Sequence, residues 1–157
     1  MDIGTTLSIC GAGLTVGLCC VGSGIGVGTV GEIATGVIAE DPNKFGKLLV
    51  LQAIPGTQGI YGLLTGFLVM LKIGILGGSI QSIPLETGLA IMFACLPIMI
   101  GGFLTAIAQG RVAATGVSLM AKREEEVGKA ITLAAMVETY AVLSLLASLM
   151  MLNGIQL

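Results

Sequence analysis

Four apolar stretches, near residues 5–39, 46–76, 87–121 and 127–153, take up almost the whole chain and decide what it can fold into. Each exceeds the ~20 residues that a helix needs to cross a hydrocarbon core about 30 Å thick. In lipid every backbone amide and carbonyl must be satisfied within the spanning segment, so runs of this length read as helices. Composition agrees. Of 157 residues 55% are hydrophobic and 10% charged, where a soluble domain carries about 25% charged residues. The sequence predicts an all-α membrane protein of four transmembrane helices, with no soluble portion to house an enzyme active site.

The basic residues orient these spans. Lys44, Lys47, Lys122, Arg123 and Lys129 lie in or beside the loops after stretches one and three, Arg111 is nearer that side, and only Lys72 lies toward the other. The positive-inside rule puts the loops near 40–46 and 121–128 in the cytoplasm and both termini outside. No basic residue precedes Lys44, so the first stretch lacks the charged start of a secretory signal peptide. The net charge of −2 gives no basic surface for nucleic acid. Cys10, Cys19, Cys20 and Cys95 form no CxxC pair and there is no histidine, so the cysteines read as packing residues.

One residue breaks the apolar pattern of the last stretch. Glu138 sits within Ile131–Thr132–Leu133–Ala134–Ala135–Met136–Val137–Glu138–Thr139–Tyr140–Ala141–Val142–Leu143. An acidic residue at the centre of a spanning helix costs roughly 2.5–3.5 kcal/mol on insertion scales, so a proton or a cation is expected to neutralise it.

The chain also repeats itself. Ala34–Thr35–Gly36–Val37 recurs as Ala114–Thr115–Gly116–Val117, and at the same offset Gly22, Gly26 and Gly28 match Gly102, Ala106 and Ala108. Beyond the loops Gly46–Lys47 matches Gly128–Lys129, at an offset two residues greater, so the second loop is expected to be two residues longer. Two helical hairpins result, residues 1–76 and 77–157, as parallel repeats whose loops fall on one side. Thr57 aligns with Thr139 but Gly56 aligns with Glu138, so only the second hairpin carries the carboxylate. The row Gly22-Ser23-Gly24-Ile25-Gly26-Val27-Gly28 clears more than one helix face for close neighbours. Gly26, Gly28 and Gly31 fit GxGxxG, but without a preceding strand that pattern has no dinucleotide meaning.

Polar residues gather at one depth. Thr57, Gln58, Gln109 and Glu138 each fall some ten to twelve residues from a cytoplasmic loop, about 15–18 Å into the bilayer. Ile54, Thr57, Gln58 and Tyr61 share a helix face by their i, i+3, i+4, i+7 spacing. Pro55, with no amide hydrogen, disturbs that helix and frees backbone carbonyls. Carbonyl, hydroxyl, amide and carboxylate oxygens suit a hard cation, and one carboxylate balances one charge, which favours Na+. A proton carrier would need only an apolar pocket favouring the neutral acid. In the plainer alternative, Thr57, Gln58 and Gln109 are interhelical hydrogen bonders worth about 0.6 kcal/mol each. Glu32 and Arg111, at equivalent heights, are expected to pair or to snorkel to the cytoplasmic edge. Glu124–Glu125–Glu126 reads as a solvated loop, and Glu86 as a favourable charge at a helix start.

Pro55-Gly56-Thr57-Gln58-Gly59-Ile60-Tyr61, Gln109 and Ala135-Met136-Val137-Glu138-Thr139-Tyr140 together resemble the rotor-ring proteolipid of V-type and A/V-type ATPases, in particular its sodium-translocating bacterial form, subunit K. The resemblance covers essentially the whole chain. It implies a homo-oligomeric ring with helices one and three inside and two and four outside, in a bacterial plasma membrane. It implies Na+ (or H+ in a proton-translocating rotor of the same family) held by the Ile54 carbonyl, Thr57, Gln58, Gln109 and Glu138. The Tyr61 hydroxyl would steady the carboxylate. Ile54 replaces a leucine common there, without consequence for a backbone ligand. Implied partners are identical subunits, a stator membrane subunit supplying an arginine, a central stalk at the cytoplasmic loops, and lipid. The chain itself would be non-catalytic, with ring rotation coupled to ATP hydrolysis or synthesis elsewhere in the complex. A reading from another class, a helical channel lined by the glycine-rich face, leaves the oxygen cluster without a purpose, and parallel repeats speak against a solute carrier.

Overall fold

The computed structural model describes residues 2–157, and all its regular structure is helical. Helix α1 spans Ile3–Glu40. Span two is broken into α2, Phe45–Ala53, and α3, Thr57–Lys72, by a 3-10 turn at Ile54–Gly56. Helix α4 spans Leu85–Lys122 and α5 Val127–Gly154. Four helical segments are thus long and apolar enough to cross a membrane.

The break in span two follows from Pro55, which cannot donate to the carbonyl one turn back. The backbone tightens there, and the Thr57 amide bonds to the Ile54 carbonyl. At α1 the Asp2 side chain accepts from the Thr5 amide at 2.8 Å and caps the helix. Asp2 also accepts from the Ser82 hydroxyl and the Ile83 amide, tying the helix start to the connection between the hairpins.

Helices α1 and α4 form the central pair and pack along one another, with α3 against α1 and α5 against α4. Glycine makes this approach possible. A Cβ on Gly110 would fall on the Gly26 backbone, and one on Gly26 would lie 2.5 Å from the Ala106 carbonyl oxygen. Two apolar clusters hold the ends: Val30, Leu48, Leu51, Val117 and Met120 near the turns, and Val69, Ile73, Ile91, Cys95 and Leu152 at the other end. Leu63, Leu64 and Phe67 on α3, and Leu133, Met136, Tyr140 and Leu143 on α5, remain exposed. An apolar outer surface of this kind suits contact with lipid.

Two expectations are corrected. Both turns have one non-helical residue, Asp41 or Arg123, followed by a three-residue 3-10 turn. The two extra residues of the second repeat therefore lengthen the end of α4 rather than the loop. Span two ends at Lys72, short of residue 76. Of the two outcomes expected for Glu32 and Arg111, pairing within the chain is not found among the described residues, and both side chains are exposed, which leaves the other outcome standing. The acidic turn is less free than expected, since Glu124 pairs with Lys47 and Glu126 with Lys129, each at 2.6 Å. Glu86 lies in the first turn of α4, as expected.

Candidate ion-binding site

The turn at Ile54–Gly56 aims the start of α3 at the middle of α5. There the Thr57 Oγ1 lies 2.7 and 2.8 Å from the two Glu138 carboxylate oxygens. The Tyr61 hydroxyl, one turn further along α3, donates to Glu138 Oε1 at 2.6 Å. From α4, Gln109 Nε2 donates to Glu138 Oε2 at 2.8 Å and to the Ala134 carbonyl at 3.0 Å. Gln58 Nε2 donates to Gln109 Oε1 at 2.6 Å and approaches Glu138 Oε2 at 3.4 Å. Gln58 and Gln109 have no exposed surface, and Glu138 and Thr57 are half-buried. All the expected site residues come together, from three spans.

The oxygens are more crowded than hydrogen bonding explains. Besides the carboxylate, Thr57 Oγ1 has the Ile54 carbonyl at 3.1 Å and Gln58 Oε1 at 3.3 Å. A hydroxyl carries one proton, so it can donate to only one of these four oxygens. With Glu138 ionised, the other close approaches place oxygen against oxygen with no proton between, and a protonated Glu138 would supply one proton more. Such a cluster on one hydroxyl, one amide, one carbonyl and one carboxylate has the donor chemistry of a hard-cation site. No lysine or arginine pairs with Glu138 among the described residues.

Gln109 differs from a simple oxygen ligand. Its nitrogen, not its oxygen, faces Glu138. While the Gln58–Gln109 hydrogen bond lasts, one amide turns oxygen toward the cluster and the other turns nitrogen.

Two supports escaped the sequence reading. Ser23 Oγ accepts from the Gly59 amide at 2.8 Å, occupying a donor that the break at Pro55 leaves free. Its position inside the glycine row was the available signal. The Ala134 carbonyl, which orients Gln109, is a backbone group with no side-chain signal at all. A second proline, Pro97 within α4, is braced similarly: Ser148 Oγ accepts from the Ile98 amide and Cys19 lies 3.3 Å from the Ile98 carbonyl.

Two tandem helical hairpins with one mid-span carboxylate define the class of small membrane proteolipids. The sequence profile of the ATP synthase subunit-C family matches twice, at residues 10–69 and 92–151, and the chain belongs to that family. It is 43% identical over 135 residues to the V-type sodium ATPase subunit K of Enterococcus hirae, covering 85% of this chain and 83% of the relative. It is 38% identical over 149 residues to the A-type ATP synthase subunit K of Methanocaldococcus jannaschii, covering 95% of this chain and 63% of that longer protein. The smaller ATP synthase proteolipid of Thermotoga maritima, its c-subunit, matches over 67 residues at 37% identity, 79% of its own length but 40% of this chain. A match of that length is about as long as one of the two family repeats of this chain, in accord with the doubling here. The chain is an integral membrane protein.

Proposed function

We propose that this chain is the ion-carrying rotor subunit of a V-type ATPase, that copies of it form a ring, and that the ring moves Na+ across the membrane as it turns. The chain contributes no nucleotide chemistry; rotation couples to ATP hydrolysis or synthesis in other subunits. The observation that carries the reading is Glu138, a half-buried carboxylate at mid-span with no basic partner, beside an oxygen cluster richer than its protons can satisfy. The name of the Enterococcus relative, a sodium ATPase subunit, supports Na+ as the cargo.

Na+ in this reading is held by the Ile54 carbonyl, Thr57, Gln58 and Glu138. Gln109 joins once its amide turns over, which breaks its hydrogen bond to Gln58 and brings its oxygen inward. Tyr61 keeps Glu138 in place. Carboxylate plus Na+ is neutral, so the loaded site can face lipid, where a bare charge is strongly disfavoured. Opposite a stator subunit the ion exchanges with water, and an arginine from that subunit balances the bare carboxylate. The turns at Asp41–Lys44 and Arg123–Glu126 would face the cytoplasm and meet the central stalk.

The test is the rate at which a hydrophobic carbodiimide modifies Glu138 in membranes, across pH, with and without Na+. The reagent needs a protonated carboxyl. Protection by millimolar Na+ that weakens as pH falls is expected. Labelling indifferent to Na+ would make the ring a proton rotor, and no labelling under any condition would remove Glu138 as the carrier.

A further inference from the structure

We propose that Glu32 of one copy pairs with Arg111 of a second copy of this chain, so that an ion pair closes each boundary of the ring. The inference rests on the rotor-ring reading above. Glu32 on α1 and Arg111 on α4 carry opposite charges at matching heights: Gly31 and Arg111 correspond in the repeat, which leaves Glu32 one residue, about 1.5 Å, from that level. Each lies some eight to eleven residues inside its helix end, about 12–17 Å along the span. An unpaired charge at such a depth is costly in hydrocarbon and is normally turned into a protein interior or paired. Yet both side chains are exposed, and the ion pairs of the described residues involve neither.

Helical phase explains why they do not pair within one copy. Glu32 is two residues from both Val30 and Ala34, about 200° round from that buried face. Arg111 follows buried Gly110 by about 100°, on the side away from Gly116, which meets Ala130 of α5. Both charges thus point away from the flanking helices and out of the copy's own α1–α4 seam. In a ring with α3 and α5 outside, α1 of one copy stands beside α4 of the next at this level. Gly24 and Gly28, on the free side of α1, have nothing within 4 Å of a Cβ, so a neighbouring helix can come close there. A second copy supplies the charge that each residue lacks.

The experiment compares E32R, R111E and the swapped double variant in the purified ring, reading the temperature at which the ring breaks into single chains in detergent. Each reversal should lower it, by placing like charges at every boundary, and the swap should recover most of the loss. In parallel, two differently tagged chains, with the four native cysteines replaced, carry E32C and R111C respectively, and a bifunctional thiol reagent about 8–10 Å long is added. Cross-links joining the two tags are expected. A swap no more stable than its worse single variant, or an intact ring with no link between tags, overturns the pair while leaving the ring reading standing. Absence of a ring for the unsubstituted chain, by native mass measurement, overturns both.

Discussion

At Glu138 three donors from two other spans converge on one carboxylate, and their removal should be felt unequally. Tyr61→Phe deletes the 2.6 Å bond to Oε1 without changing ring volume. A hydrogen bond to a charged group contributes about 1.5–3 kcal/mol, so Na+ affinity, measured by protection from carbodiimide, should fall roughly 10- to 100-fold. Gln109→Leu does more damage. It takes a donor from Glu138 and leaves the Gln58 amide and the Ala134 carbonyl without their buried partner. Both lower affinity and a less stable chain are expected, the second measurable as faster amide exchange in α4 and α5. The titratable group to watch outside the spans is Asp2. The Ser82 hydroxyl first, and then the Thr5 side chain and amide, hold its carboxyl well below the usual carboxylate range. A depressed folded-state value means its contribution is present above about pH 4 and is lost as pH falls further. Asp2→Ala should lower the protection of the Thr5 and Ile83 amides against exchange at neutral pH, whereas the unsubstituted chain should lose that protection only in strong acid, each judged against the intrinsic exchange rate at the same pH.

On the scale of the helices, Pro55 and the glycines decide where oxygens and backbones can meet. Pro55→Ala restores an amide hydrogen and lets α2 and α3 run on as one helix. The Ile54 carbonyl then returns to the regular ladder and the Gly59 amide no longer needs Ser23. Weaker Na+ protection with an intact fold is the expected result. Gly110→Val tests the central seam, since its side chain would land on the Gly26 backbone. That variant should fail to accumulate as folded chain, whereas Gly28→Ala, which meets nothing in this chain, should fold normally. The four spans and the meeting of Thr57, Gln58, Gln109 and Glu138 were legible because apolar length and depth are both counted along the chain. The orientation of Gln109 was not. An amide shows the sequence its presence but not which of its two atoms a neighbour will claim, and that choice is set by the Ala134 carbonyl. Glu32 and Arg111 were legible only in part for a related reason: equal height is readable from the repeat, but the helical phases that turn them out of the shared seam decide that they do not pair within the chain.

Across the whole molecule, doubling has kept two hairpins and one carboxylate. Where the second hairpin has Glu138 the first has Gly56, held in the 3-10 turn with the nearest Val27 methyl 3.7 Å from where a Cβ would stand. There is room for a side chain, so the missing acid is not a steric necessity. What the first hairpin lacks is the surrounding donor set. The residues aligned with Thr57 and Gln58 are Thr139 and Tyr140, and the one aligned with Gln109 is Thr29. Neither amide has a counterpart, so the aligned positions offer hydroxyls but not the oxygen-rich set that a cation needs. Gly56→Glu should therefore create a second carboxyl that carries a proton rather than Na+. Carbodiimide should then modify two positions per chain, with Na+ protecting Glu138 and leaving residue 56 unprotected. Protection of both would mean that the cage is supplied by the neighbouring copy, and that the ion count per chain is limited by the carboxylate alone.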